Sequence, residues 1–147
     1  MTAIRPIVIG IVRRGDEILV ARGRDTTSGE VFYRPLGGGI EFQEHSSDAL
    51  CREFEEEIGA SLAELRLLSV LEESFTNEGL PKHELIFVYA ARFVDEDLYS
   101  TDVFSWCDAL SEGWEWIGWQ ALAEFTDKEP RLYPDGLKEV LRGRTED

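Results

Sequence analysis

The chain has 147 residues, 43% of them hydrophobic, which suits one domain over residues 1–147 and excludes disorder. Its net charge of −15, from 15 basic and 30 acidic residues, argues against electrostatic binding of polymeric nucleic acid or of an anionic membrane. Two cysteines without zinc spacing, no signal-like N-terminal run and no apolar stretch long enough for a bilayer predict a reducing, cytoplasmic setting.

Residues 4–13 are apolar on both alternations, the pattern of a central strand. A turn at 14–16 leads to a returning strand at 17–22. A polar loop at 23–30 precedes a short strand at 31–36 broken by Pro35, then a glycine turn, Gly37-Gly38-Gly39. A helix is expected near 46–58, started by Ser46, Ser47 and Asp48 and stopped by Gly59. Residues 65–76 and 83–94 read as strands joined by a turn at 77–81. After a long segment at 95–113, a short strand at 115–118, a helix at 119–125 and a final helix at 134–142 are expected. A mixed sheet flanked by helices accommodates this order.

The predicted helix 46–58 carries Glu53, Glu56 and Glu57 at i, i+3 and i+4. At about 100° per residue from Glu53, Glu57 lies at about +40° and Glu56 at about −60°. Leu50, Phe54 and Ile58 fall on the adjoining side, with Cys51 just beyond. One side therefore meets a core and the other is acidic. Ala49 lies inside the acidic arc, where a small side chain leaves room for a metal and its waters. Arg52, four residues before Glu56, can hold a carboxylate and offset the repulsion. Carboxylates crowded together suit a hard cation, Mg2+ or Mn2+. A solvated acidic face is the plain alternative for such a triad alone.

The wider pattern adds to that reading. Gly38, Glu44, Arg52, Glu53, Glu56, Glu57 and Gly59 keep a fixed spacing over 22 positions. This resembles the Nudix box of the MutT-like Nudix hydrolase superfamily. Two positions depart from the usual box: Ala60 replaces a bulky aliphatic residue, and Gln43 stands where Gly is common. Neither removes a charge, so small changes in packing and loop shape are expected.

The resemblance implies a Nudix-type α/β/α sandwich with a mixed central sheet. It implies hydrolysis of a pyrophosphate bond, by water attack on phosphorus, in a nucleoside diphosphate linked to another moiety. Metal ligands are expected at Glu53, Glu56, Glu57 and Glu44, with a backbone carbonyl near Gly38; Glu53, Arg52 and Glu56 are the expected catalytic residues. The general base matches Glu53 in some members and a later loop in others, for which Glu112, Asp108 and Glu115 are available.

Arg34 can grip phosphate oxygens with its planar fork, a surface arginine being the alternative. Phe32, Tyr33, Phe75, Trp106, Trp114 and Trp116 are available to stack on a base, and His83 to contact one. The residues that mark ADP-ribose, diadenosine-polyphosphate and NADH subfamilies are missing, Phe75, Thr76 and Asn77 occupying the diagnostic region. A (d)NTP, oxidised forms included, is the leading substrate, and a homodimer is left open. A catalytically silent nucleotide-sensing module is the alternative. Isomerase chemistry on an isoprenoid diphosphate would need Cys51 to leave the apolar side of its helix.

Overall fold

From Ile7 onward strand β1 (Ile4–Ile11) is buried on both of its faces, and the architecture follows from that. In the computed structural model, residues 2–26, 28–77, 79–107, 114–126 and 130–142 are described. Ile7, Ile9 and Ile11 enter one core, which helix α2 (Leu137–Leu141) covers with Leu137 and Leu141. Val8 and Val12 enter a second core, which helix α1 (Ser46–Ile58) covers with Leu50 and Phe54. A Cβ on Gly10 would lie 2.9 Å from Phe54 and 3.1 Å from Leu50, so a bare backbone is what lets α1 rest on β1.

The α/β sandwich is as expected, and its strands divide between two sheets. The first sheet runs β5 (Gly37–Gly39), β1, β7 (Leu80–Phe93), β6 (Leu62–Asn77). It is mixed: β1 and β7 are parallel, with Arg5 opposite Glu84 and Ile7 opposite Ile86, while the other pairings are antiparallel. The second sheet runs β10 (Arg131–Leu132), β4 (Val31–Arg34), β3 (Glu17–Arg24), β9 (Trp114–Ala121), β8 (Val103–Phe104). Strand β2 (Arg13–Arg14) joins it by pairing with β3.

Several local expectations are corrected. The strand expected at 4–13 breaks at Val12, and its two parts serve different sheets. The glycine run is not a turn; it forms β5, with Gly38 opposite Val8. A Cβ on Gly37 would strike the Val8 carbonyl, so close pairing there needs glycine. The helix expected from 119 is strand until Ala121, followed by a single 3-10 turn at Leu122–Glu124. Pairing of Leu19 with Trp119 and Glu17 with Ala121 overrides the local helical preference. The last helix is shorter than 134–142.

Pro35 ends β4, and the chain crosses at Leu36 from the second sheet to the first. Leu36 is held by its carbonyl, which accepts from the Gly10 amide at 2.9 Å. This crossing places Arg34 and Gly38 on different sheets although they are only four residues apart in the chain.

Candidate active site

The α1 bounds agree with expectation, but its start is different. His45 is the N-cap, its Nδ1 accepting from the Ser47 amide at 3.2 Å. Gly59 ends the helix in the left-handed region, φ 68°, and its amide reaches the Glu55 carbonyl at 3.0 Å. Leu50 and Phe54 are buried as expected. Ala49 corrects the expected lining: it is fully buried, in the core that Leu50 and Phe54 enter. Ala60, the box departure, is buried in the same core. Cys51 is only half-buried, a free thiol whose pKa is raised by burial and then by Asp48 and Glu55.

Arg52 organises the acidic side. It donates through Nε and Nη2 to both oxygens of Glu44, at 2.8 and 2.9 Å. Nη2 also donates to the Gly39 carbonyl at 3.0 Å, and Nη1 to Glu53 at 2.8 Å. Glu56 is a looser partner at 3.4 Å. These bonds hold the Glu44 carboxyl well below its ordinary range, at a pKa of about 2, and raise that of Arg52. Arg52 thus ties the helix to β5 and to the loop before the helix.

That loop turns through Gln43, which takes φ 67°, a region that favours glycine. The departure from the usual box is therefore absorbed as backbone strain, and the loop keeps the path Glu44 needs. Gly38 has a different use. A Cβ there would strike the Glu53 carboxylate, so the backbone of β5 lies directly against that group.

Glu57, on the same helix, acts on a second arginine. It is 8% exposed and is the carboxylate that most strongly stabilises the charge of Arg34. Burial nonetheless pulls the Arg34 pKa down. Its guanidinium lies 4.8 Å from the ring centroid of Trp114. Tyr133 and Glu84 also act on Arg34, and Arg5 repels it. The Tyr133 hydroxyl donates to Glu84, a bond that together with burial raises the Tyr133 pKa. Arg5 stands 3.9 Å from Glu84. Sequence reasoning missed Glu84, Tyr133 and Arg5. Glu84 had a signal: it is an acid entering the apolar run of β7.

Other candidates are distributed unevenly. Phe32 stands edge-on to Trp114 at 5.6 Å, beside Arg34. Tyr33 is 7% exposed and packs edge-on against Phe125 and Trp116, a core position. His83 lies on β7 and meets Glu72 at 2.7 Å. Glu115 pairs with Arg22 and Arg24, at 3.1 and 3.0 Å, which lowers its pKa. Glu112 and Asp108 lie outside the described residues.

Among the described residues, no three carboxylate, imidazole or thiolate groups already share a metal-ligating point. Glu44, Glu53 and Glu56 converge on Arg52 instead. The donor chemistry still fits a hard cation: Glu53, Glu56 and Glu57 are oxygen donors on one helix, with the backbone of Gly38 against Glu53.

This fold, with such a helix behind a glycine strand, defines a class. The NUDIX domain model matches residues 3–136, and the chain belongs to the NUDIX family as one of its pyrophosphohydrolases. The MutT NUDIX hydrolase from Burkholderia pseudomallei is 26% identical, with a TM-score of 0.67, covering 95% of this chain and 96% of that one. A NUDIX hydrolase from Nitrosomonas europaea is 18% identical, with a TM-score of 0.68 over 95% of this chain and 86% of that one. A UDP-X diphosphatase is 17% identical, with a TM-score of 0.64 over 96% of this chain and 62% of that one. The last two likenesses concern the fold. No helix of the described residues is long and apolar enough to cross a membrane.

Proposed function

We propose that this chain, acting as a single domain, hydrolyses a phosphoanhydride of a small nucleoside diphosphate derivative in the presence of Mg2+ or Mn2+. A (d)NTP is the leading substrate. The observation that carries the reading is that one acidic helix carries both Glu53, held by Arg52, and Glu57, the carboxylate that acts most strongly on the Arg34 guanidinium. The likeness to a MutT NUDIX hydrolase supports the hydrolase reading.

Glu53, Glu56 and Glu57 would hold the cation, with Glu44 in support and the Gly38 backbone close by. The bound cation would offset the phosphate charge and lower the pKa of water. Arg52 holds Glu44 and Glu53 in place, so little reorganisation is needed as charge develops. Glu53 is the proposed base: it is largely sheltered, 16% exposed, and its position is fixed by Arg52 on one side and Gly38 on the other. Arg34, with Phe32 beside it, would bind phosphate oxygens of the substrate. Two free cysteines suit a cytoplasmic setting.

The test is a panel of nucleoside triphosphates, nucleotide sugars and dinucleotides, with Mg2+ or with chelator. Cation-dependent cleavage of at least one member is expected, and cleavage of none between neutral and alkaline pH would overturn the reading. Glu53→Gln should lower kcat about 100-fold or more with folding intact; unchanged turnover would remove it from the role of base. Saturable nucleotide binding without turnover would favour the silent sensing module instead.

A further inference from the structure

We propose that Arg34, Trp106 and Trp114 form a subsite, beside the acidic helix, that receives an oxyanion of the phosphate chain. The proposal rests on the hydrolase reading and deepens it.

Two hydrogen-bond donors meet around one ring. The Arg34 Nε and the Trp106 Nε1 are both buried, and neither has an acceptor among the described residues. Both side chains lie against Trp114: the Arg34 guanidinium 4.8 Å from its ring centroid, the Trp106 ring 6.4 Å away and tilted by 39°. Phe32 adds its edge at 5.6 Å. The backbone of β3 closes in as well, since a Cβ on Gly23 would lie 2.9 Å from Trp114 and 3.0 Å from Phe32.

A buried donor left without an acceptor costs free energy, and such donors are rare in folded proteins. Two of them flanking one indole point to an acceptor supplied from outside. Besides Glu57, whose charge acts on Arg34, the groups around Trp114 are donors and aromatic faces, so the matching group carries acceptors. The positive charge of Arg34 selects an anion among these, and the surrounding rings keep water from weakening the contact. Glu57, the main compensating charge on Arg34, belongs to the acidic helix, so the subsite adjoins the reacting region.

The experiment follows the indole N–H signals of the four tryptophans in 15N-labelled full-length protein, titrated with inorganic pyrophosphate without added metal. Trp106→Phe identifies the Trp106 signal by its loss. The signal should move downfield and saturate with pyrophosphate, and stay in place with an uncharged nucleoside. Arg34→Lys, checked for folding by the remaining indole signals, should bind pyrophosphate about tenfold more weakly. A Trp106 signal unmoved by millimolar pyrophosphate, or moved as far by the nucleoside, would overturn the subsite, as would unchanged affinity in Arg34→Lys. Because no turnover is read, failure here with cation-dependent hydrolysis intact would remove the subsite and leave the hydrolase reading. The shift without any hydrolysis would do the reverse.

Discussion

Arg52 grips both carboxylate oxygens of Glu44 across eight residues of chain, at 2.8 and 2.9 Å. The same guanidinium reaches Glu53 and the Gly39 carbonyl. One planar cation therefore fixes the loop, the helix and the glycine strand together. A lysine cannot make these bonds at once. Arg52→Lys should keep the charge and the fold but lower kcat/KM about tenfold or more, measured on whichever panel nucleotide is cleaved. Wild-type kinetics would show that charge alone suffices.

The Glu44 carboxyl is held at a pKa of about 2 by those bonds, against roughly 4.3 in an unfolded chain. Since the folded value is the lower one, the pair contributes fully above the unfolded pKa and its contribution is lost as pH falls from about 4 to about 2. Glu44→Gln has no charge to titrate, so its stability deficit against wild type should shrink across that window. Urea unfolding midpoints at pH 6, 4 and 2 measure this; parallel curves for the two proteins would contradict it.

Gly38 is the position where backbone and Glu53 touch. Its neighbour atoms belong to the end of a flexible side chain, so Gly38→Ala should fold. The added methyl must displace the Glu53 carboxylate, and kcat should fall about 100-fold. Circular dichroism alongside the assay separates this outcome from unfolding.

Gln43 carries the strain that glycine would relieve. A non-glycine residue in the left-handed region costs about 1 kcal/mol or more. Gln43→Gly should raise the Tm by about 2–4 °C, read by calorimetry. A lower Tm would mean that the Gln43 side chain contributes more than the strain removes.

Gly10 predicts the opposite sign. A methyl 2.9 Å from Phe54 and 3.1 Å from Leu50 over-fills the contact between β1 and α1. Gly10→Ala should destabilise by about 1–3 kcal/mol, and a Phe54→Leu change in the same chain should recover part of it.

The box helix was legible because its signals are local. The spacing of Leu50, Phe54 and the glutamates, with Gly59 as stop, depends only on helix period and cap chemistry. The strand at 119–121 was misread for the converse reason: a short aromatic stretch fits helix or strand, and pairing with β3 decides. Likewise nothing in Gly37-Gly38-Gly39 tells a turn from a strand squeezed against β1.

The sequence by itself determined the acidic face, the helix that carries it and the hard-donor chemistry on offer, because residues three and four apart share a face wherever the helix sits. Only the tertiary structure decided which groups stand around that face. Arg34 comes from β4, Glu84 from β7, Trp114 from β9 and Tyr133 from the residue after β10, and each arrives through strand pairing. Pairing register is a property of two segments at once, so no single stretch of chain contains it.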